Sequence, residues 1–218
     1  MSGVLEYFDR HRDTILGWLA WHAWLSVLPV VLGLVLALPL GWLARRYRFA
    51  YGPMVSVAGL LYTIPSLALF VLMPGLLHTR ILDPANVVAA LTVYSVALLV
   101  RVVADGLGAV PEDVGMAARA MGYGPVQRLV AVELPIAVPV IVAGLRVATV
   151  SNVSLVSVSA LLGVPQLGQL FTTGFTQAIT EPIVIGIAGC VLLAVAFDLL
   201  LVTGGRLLTP WRRAVRAS

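Results

Sequence analysis

The stretch from Val114 to Pro135, VGMAARAMGYGPVQRLVAVELP, is rich in alanine, glycine and charge, yet long apolar runs lie on both sides of it. With the preceding Pro111, Glu112 and Asp113 it has the grammar of a short helix. Proline suits the first helical position, the two acids complement the positive helix end, and Gly122 suits the left-handed position just past the C-terminus. A second helix is expected from Pro125, with Val126, Leu129 and Val130 on one face, stopping before Pro135. Ala117, Ala118 and Ala120 leave the first helix nearly bare, so another surface can approach it closely. Spacing alone leaves two readings open: a docking element for a partner, or an interfacial linker in which alanine serves helix propensity.

The surrounding chain is built for lipid. Of its 218 residues 60% are hydrophobic and 11% charged, and its mean hydropathy is +1.01, far from the balance of a soluble domain. The basic residues fall in short clusters between apolar runs, with no patch interleaved with exposed aromatics, which argues against nucleic-acid binding. A single cysteine, Cys190, excludes an intrachain disulfide and a clustered cysteine metal site. His11, His22 and His78 are scattered near span ends, form no metal-ligand pattern and are expected at the membrane interface. All 14 basic residues are arginine. Without lysine the chain cannot form a Walker A phosphate loop, so ATP hydrolysis by that route is excluded.

About 20 apolar residues cross a bilayer as a helix, the conformation that satisfies its own backbone without water. Five segments qualify: about 21–44, 53–77, 84–103, 136–161 and 183–204. The third is short and requires Arg101 to snorkel. Pro29, Pro39, Pro65 and Pro139 lie in or near spans, where membrane helices tolerate them. The apolar run behind the charged N-terminus is too long for a signal-peptide core, so a retained first span is expected. Arginine bias sets the orientation. One side receives Arg45, Arg46, Arg48, Arg101, Arg119, Arg128, Arg146, Arg206, Arg212, Arg213 and Arg216, and the other keeps Arg10, Arg12 and Arg80. The expectation is an all-α polytopic membrane protein with the N-terminus outside and the C-terminus inside. It comprises an external segment 1–20, a transmembrane domain 21–205 with a cytoplasmic loop 105–135, and a basic tail 206–218. Trp18, Trp21 and Trp24 then fall at the outer interface.

The loop resembles the coupling-loop signature of ATP-binding-cassette (ABC) importer permeases: Glu-Ala-Ala, three residues, Gly, nine residues, Ile-x-Leu-Pro. Ala117, Ala118, Gly122, Val132, Leu134 and Pro135 match it. Met116 stands in place of the glutamate and removes a charge; Val132 replaces isoleucine conservatively. The stretches YTIPSLALF (62–70), VELPIAVPVIVAGLRVATV (132–150) and GVPQLGQL (163–170) are similar to permeases that import glycine betaine, carnitine or choline. The resemblance implies a methionine-permease-like fold in a bacterial cytoplasmic membrane. It also implies a loop seated in a cleft of a separate ATPase subunit, a second permease chain, identical or paralogous, and an external substrate-binding protein. No cofactor is implied for this chain; ATP and Mg belong to the ATPase. The alternative is a methionine or other amino-acid importer permease of similar size. An integral membrane enzyme would need convergent catalytic groups, which one intramembrane acid, one cysteine and scattered histidines do not supply. A channel or secondary transporter would need no ATPase.

Within the spans, Thr149, Ser151, Asn152, Ser154, Ser157 and Ser159 recur on one helix. Thr149 with Asn152, and Ser151 with Ser154, share faces. They can line a path or pack between helices. Tyr62 and Tyr94 are candidate cation-π contacts for a quaternary ammonium group, and Thr63 and Ser66 flank Pro65 in the same motif. The candidate path is thus Tyr62, Thr63, Ser66, Tyr94, Ser151 and Asn152. Asp198 is the one acid well inside a span; a proton-coupling role and a pairing with an arginine, Arg206 lying two turns on, both remain open.

Overall fold

The computed structural model describes residues 2–211. Among these the chain forms helices α1 (Ser2–Arg10), α2 (Arg12–Arg46), α3 (Arg48–Thr63), α4 (Ser66–Leu77), α5 (Pro84–Gly108), α6 (Glu112–Ala120), α7 (Pro125–Arg128), α8 (Leu134–Val158), α9 (Gln169–Gln177) and α10 (Glu181–Leu208). A π-helical turn, Leu129–Glu133, joins α7 to α8, and a 3₁₀ turn, Ser159–Leu162, extends α8. Four stretches are long and apolar enough to cross a membrane alone, and α3 with α4 makes a fifth candidate as a bent pair. Arg212, Arg213 and Arg216 of the basic tail lie outside the described residues.

Helix α5 is the centre of the bundle, packed against α2, α3, α4 and α8, while α10 lies outside on α8, α9 and α1. Its start is encoded locally: Asp83 accepts from the Ala85 N–H at 2.9 Å and Pro84 follows, so the first turn is capped and stiffened. Close approach of α2 to α5 depends on small residues. A methyl group at Gly33 would overlap Ser95, and one at Gly41 would lie 2.7 Å from Val103. In lipid, van der Waals packing of this kind drives helix association. Leu25, Phe70, Leu91 and Val156 fill one end of the core; Val30, Leu99, Val103 and Ile141 fill the other.

Several expectations are corrected. The segment 53–77 is not one helix. Ile64 and Pro65 are both extended, with ψ near 130, and the chain turns by 100° there. Proline removes a donor and forces its predecessor out of the helical region. Pro29, Pro39 and Pro139 are carried inside continuous helices. The third span runs on to Gly108, so residues 105–108 belong to it and not to the loop, and exposed Arg101 lies 3.6 Å from Asp105 one turn on. Residues 12–20 are helical too, because α2 begins at Arg12. Trp21 and Trp24 are exposed and meet edge to face at 5.6 Å, but Trp18 is half-buried against Ile15 and Leu167.

Candidate functional site

The loop closes α6 as its glycine suggested. Gly122 has φ +86, its N–H donates to the Arg119 carbonyl at 2.9 Å, and the Tyr123 N–H donates to the Ala118 carbonyl at 3.1 Å. These two bonds form a Schellman cap, which satisfies carbonyls the helix leaves free. Met116, Ala117 and Gly122 are exposed. Ala118, in contrast, is 1% exposed, so the bare face of α6 is partly spent on the chain itself. Leu134 and Pro135 are half-buried at the start of α8.

The second loop helix does not stop before Pro135. The Leu134 N–H donates to the Leu129 carbonyl, five residues back, and α7 passes through the π turn into the span. The shift in register leaves the missing N–H of Pro135 in the first turn of α8, where no intrahelical donor is required. Arg128 Nε donates to Glu133 Oε1 at 2.6 Å across the same turn, both side chains being largely buried. Their i, i+5 spacing is invisible to a search for ordinary helical pairs.

The membrane candidates divide. Tyr62, Tyr94, Ser151 and Asn152 converge with Ser95 on one narrow crevice. The rings of Tyr62 and Tyr94 meet edge to face at 5.6 Å. Tyr94 is buried and its hydroxyl donates to the Ile64 carbonyl, which the break in the span releases; Tyr62 is 43% exposed and offers the accessible face. Asn152 donates to the Ser26 carbonyl at 3.3 Å and to Ser95 Oγ at 3.2 Å, tying α8 to α2 and α5. Thr63 and Ser66 flank the break and do not line the crevice. Thr63 Oγ1 is occupied by the Leu60 carbonyl at 2.7 Å. Thr149 is buried with Asn152 and donates to its own helix, whereas Ser154 is exposed on the other side.

His22 is not interfacial. It is fully buried, with Nδ1 3.0 Å from Gln166 Oε1 and Nε2 donating to the Val153 carbonyl at 2.9 Å. Gln166 is also fully buried, and its Oε1 accepts from the Gly168 N–H at 2.5 Å. These two residues join α2, α8 and the 163–168 loop. Their separation of 144 residues left no local signal. His11 and His78 are exposed, and no group of three metal-ligating side chains occurs among the described residues.

Asp198 pairs with Arg146 and not with Arg206. Arg146 Nε lies 2.6 Å from Oδ1 and Nη2 2.9 Å from Oδ2, a two-point contact between α8 and α10. Arg146 is therefore a mid-span residue and does not count toward the arginine bias of a membrane face.

Residues 29–213 match the family described as binding-protein-dependent transport system inner membrane component. The chain is 36% identical over 193 residues to the osmoprotectant import permease protein OsmW of Salmonella typhimurium, covering 87% of this chain and 89% of that one. It is 27% identical to the choline transport system permease protein OpuBB of Bacillus subtilis, over 96% and 95% of the two chains. Among solved structures, an inward-facing MetNI methionine ABC transporter chain matches with a TM-score of 0.79 at 21% identity, covering 92% of this chain and 99% of that one. An amino acid ABC transporter with histidines matches at 0.74 and 19% identity, over 92% and 96%. At these identities the structural likeness establishes the fold.

Proposed function

We propose, from the premise that the chain belongs to the binding-protein-dependent transport system inner membrane components, that it is the transmembrane permease subunit of an ABC importer for osmoprotectants such as glycine betaine, choline or carnitine. The observation that carries the substrate class is the likeness to an osmoprotectant import permease over nearly the whole of both chains. The chain is not an enzyme; it works with a separate ATPase and a substrate-binding protein in the bacterial cytoplasmic membrane. The ATPase docks on Met116, Ala117 and Gly122, with Ala118 buried beneath α6 and with Leu134 and Pro135 at the start of α8, the helix that receives the motion. Exposed Met116 in place of a glutamate makes the contact apolar at that point. Binding of ATP with Mg by the partner, and hydrolysis of the ATP, are transmitted through the π turn into α8, because α7 and α8 form one continuous path. The N-terminus faces outward and the loop inward, as the arginine bias favours.

A second permease chain, identical or paralogous, completes the pathway. On this reading the crevice beside the α3–α4 break, closed in this structure, opens for the solute, and the Tyr62 face attracts a quaternary ammonium group without a buried counter-ion. The test is uptake of labelled glycine betaine and choline by cells expressing the whole transporter. Mutual competition between the two solutes is expected. Competition by methionine alone, with neither osmolyte taken up, would replace this assignment with an amino-acid importer.

A further inference from the structure

At the end of the bundle that carries α6, a cleft of about 480 Å³ opens between the last turns of α2, the end of α5 and the loop. Arg45, Arg46, Arg119 and Arg128 line it, against two carboxylates, Glu112 and Glu133. Glu133 is spent on Arg128 at 2.6 Å. Among the described residues no carboxylate lies within 4.0 Å of Arg45, Arg46 or Arg119. The cleft is thus a concave surface with a net excess of two positive charges by residue count, and three of its guanidinium groups have no ion-pair partner among the described residues.

Its walls are not purely polar. Trp42 lies beneath Arg46, whose guanidinium carbon is 5.5 Å from the indole centroid. On the same face of α2, at helical spacing, Val31, Val35 and Pro39 are exposed. An apolar strip therefore leads along the span directly to the arginines. Guanidinium groups bind phosphate oxygens in a fork geometry, and indole rings favour the boundary between hydrocarbon and head groups.

We propose that this cleft binds the phosphate of an anionic phospholipid, with the acyl chains lying along Val31, Val35 and Pro39. The positive excess selects against zwitterionic lipids, whose ammonium group would be brought near the same arginines. The apolar strip distinguishes a lipid from a free phosphate ion, which would gain nothing from it. The inference does not depend on which solute the chain carries.

The test is native mass spectrometry of the full chain in detergent, titrated with phosphatidylglycerol and with phosphatidylcholine of the same acyl composition. Wild type is expected to retain phosphatidylglycerol preferentially and saturably. Arg46→Gln and Arg119→Gln should each weaken that retention about fivefold, Arg46→Lys with Arg119→Lys should keep most of it, and Arg206→Gln should leave it unchanged. Equal retention of the two lipids by wild type overturns the proposal without recourse to any variant. So does a preference that survives Arg46→Gln with Arg119→Gln, or one lost equally in Arg206→Gln, which would report general surface charge. Displacement of phosphatidylglycerol by millimolar inorganic phosphate would overturn the lipid assignment in favour of a soluble anion.

Discussion

The cluster around His22 and the loop 112–133 are two polar interruptions of an apolar chain, and they are built in opposite ways. His22, Gln166, Ser26, Ser95 and Asn152 are buried and spend their polar atoms on one another or on backbone groups. Among the described residues no buried side-chain nitrogen or oxygen lacks a hydrogen bond. The loop instead exposes Met116, Ala117 and Met121, and among the described residues its own Arg119 and the neighbouring Arg45 and Arg46 stand without carboxylate partners. Inside lipid an unsatisfied polar group costs several kcal/mol, so polarity there must close on itself. At the membrane surface water satisfies the groups, and they remain available to something else. The first region therefore holds the fold, and the second is the surface to which the proposed function assigns the exchange with partners.

That contrast can be broken by substitutions that affect uptake and unfolding differently. Gly122→Glu should abolish uptake while lowering the unfolding stability of the purified chain by only about 1–2 kcal/mol, the cost of a side chain at this exposed left-handed turn, so that the fall in uptake far exceeds the loss of folded protein. Gly122→Asn, which tolerates the left-handed region, should retain part of the uptake. If both variants transport normally, the loop is only a linker. Asp198→Asn leaves Arg146 without its two-point partner and should lower the membrane level of the protein several-fold. The exchanged pair, Arg146→Asp with Asp198→Arg, should recover much of it. Loss of transport in Asp198→Asn at full membrane level would instead reopen a proton-coupling role.

His22→Leu should have the opposite signature to Gly122→Glu. Removing the ring from between Gln166 and Val153 should lower unfolding stability in detergent by about 1–3 kcal/mol, with uptake falling only in proportion to folded protein. A large fall in transport with no change in unfolding would move His22 from the fold to the mechanism. The smallest effects are expected at the crevice. Tyr94→Phe frees the Ile64 carbonyl at about 1 kcal/mol, and Tyr62→Leu should raise the apparent KM for choline about fivefold through loss of a cation-π contact worth about 1 kcal/mol. An unchanged KM in Tyr62→Leu would remove that ring from the path.

How far the sequence could be read depended on the range of each signal. The cap of α6 was legible because Glu112 and Gly122 act within one or two turns of themselves, although Pro111 stands just before the helix and not at its first position. The break at Pro65 was not, because Pro29, Pro39 and Pro139 look the same in sequence and stay inside helices. What differs at Pro65 is that Ile64 is extended as well, with its carbonyl taken up by Tyr94, 30 residues away. Pro135 misled in the other direction, since a π turn absorbs it. Of the six path candidates, four meet in the crevice, and Thr63 and Ser66 only flank the helix break. Arg206 was the nearer partner for Asp198 along the chain, but Arg146 is the nearer one in space.

Composition, apolar run lengths and the local grammar around Gly122 by themselves determined a multispan helical membrane protein with a capped helix in a polar loop between two spans. Those properties follow from the cost of exposing a backbone to lipid and from bonds made within a few residues. The closure of His22 on Gln166, the pairing of Arg146 with Asp198, the 100° turn at Pro65 and the cleft of arginines under α6 were decided only when the helices came together. Each depends on contacts between distant residues, which the packing of small side chains such as Gly33 and Gly41 brings within reach.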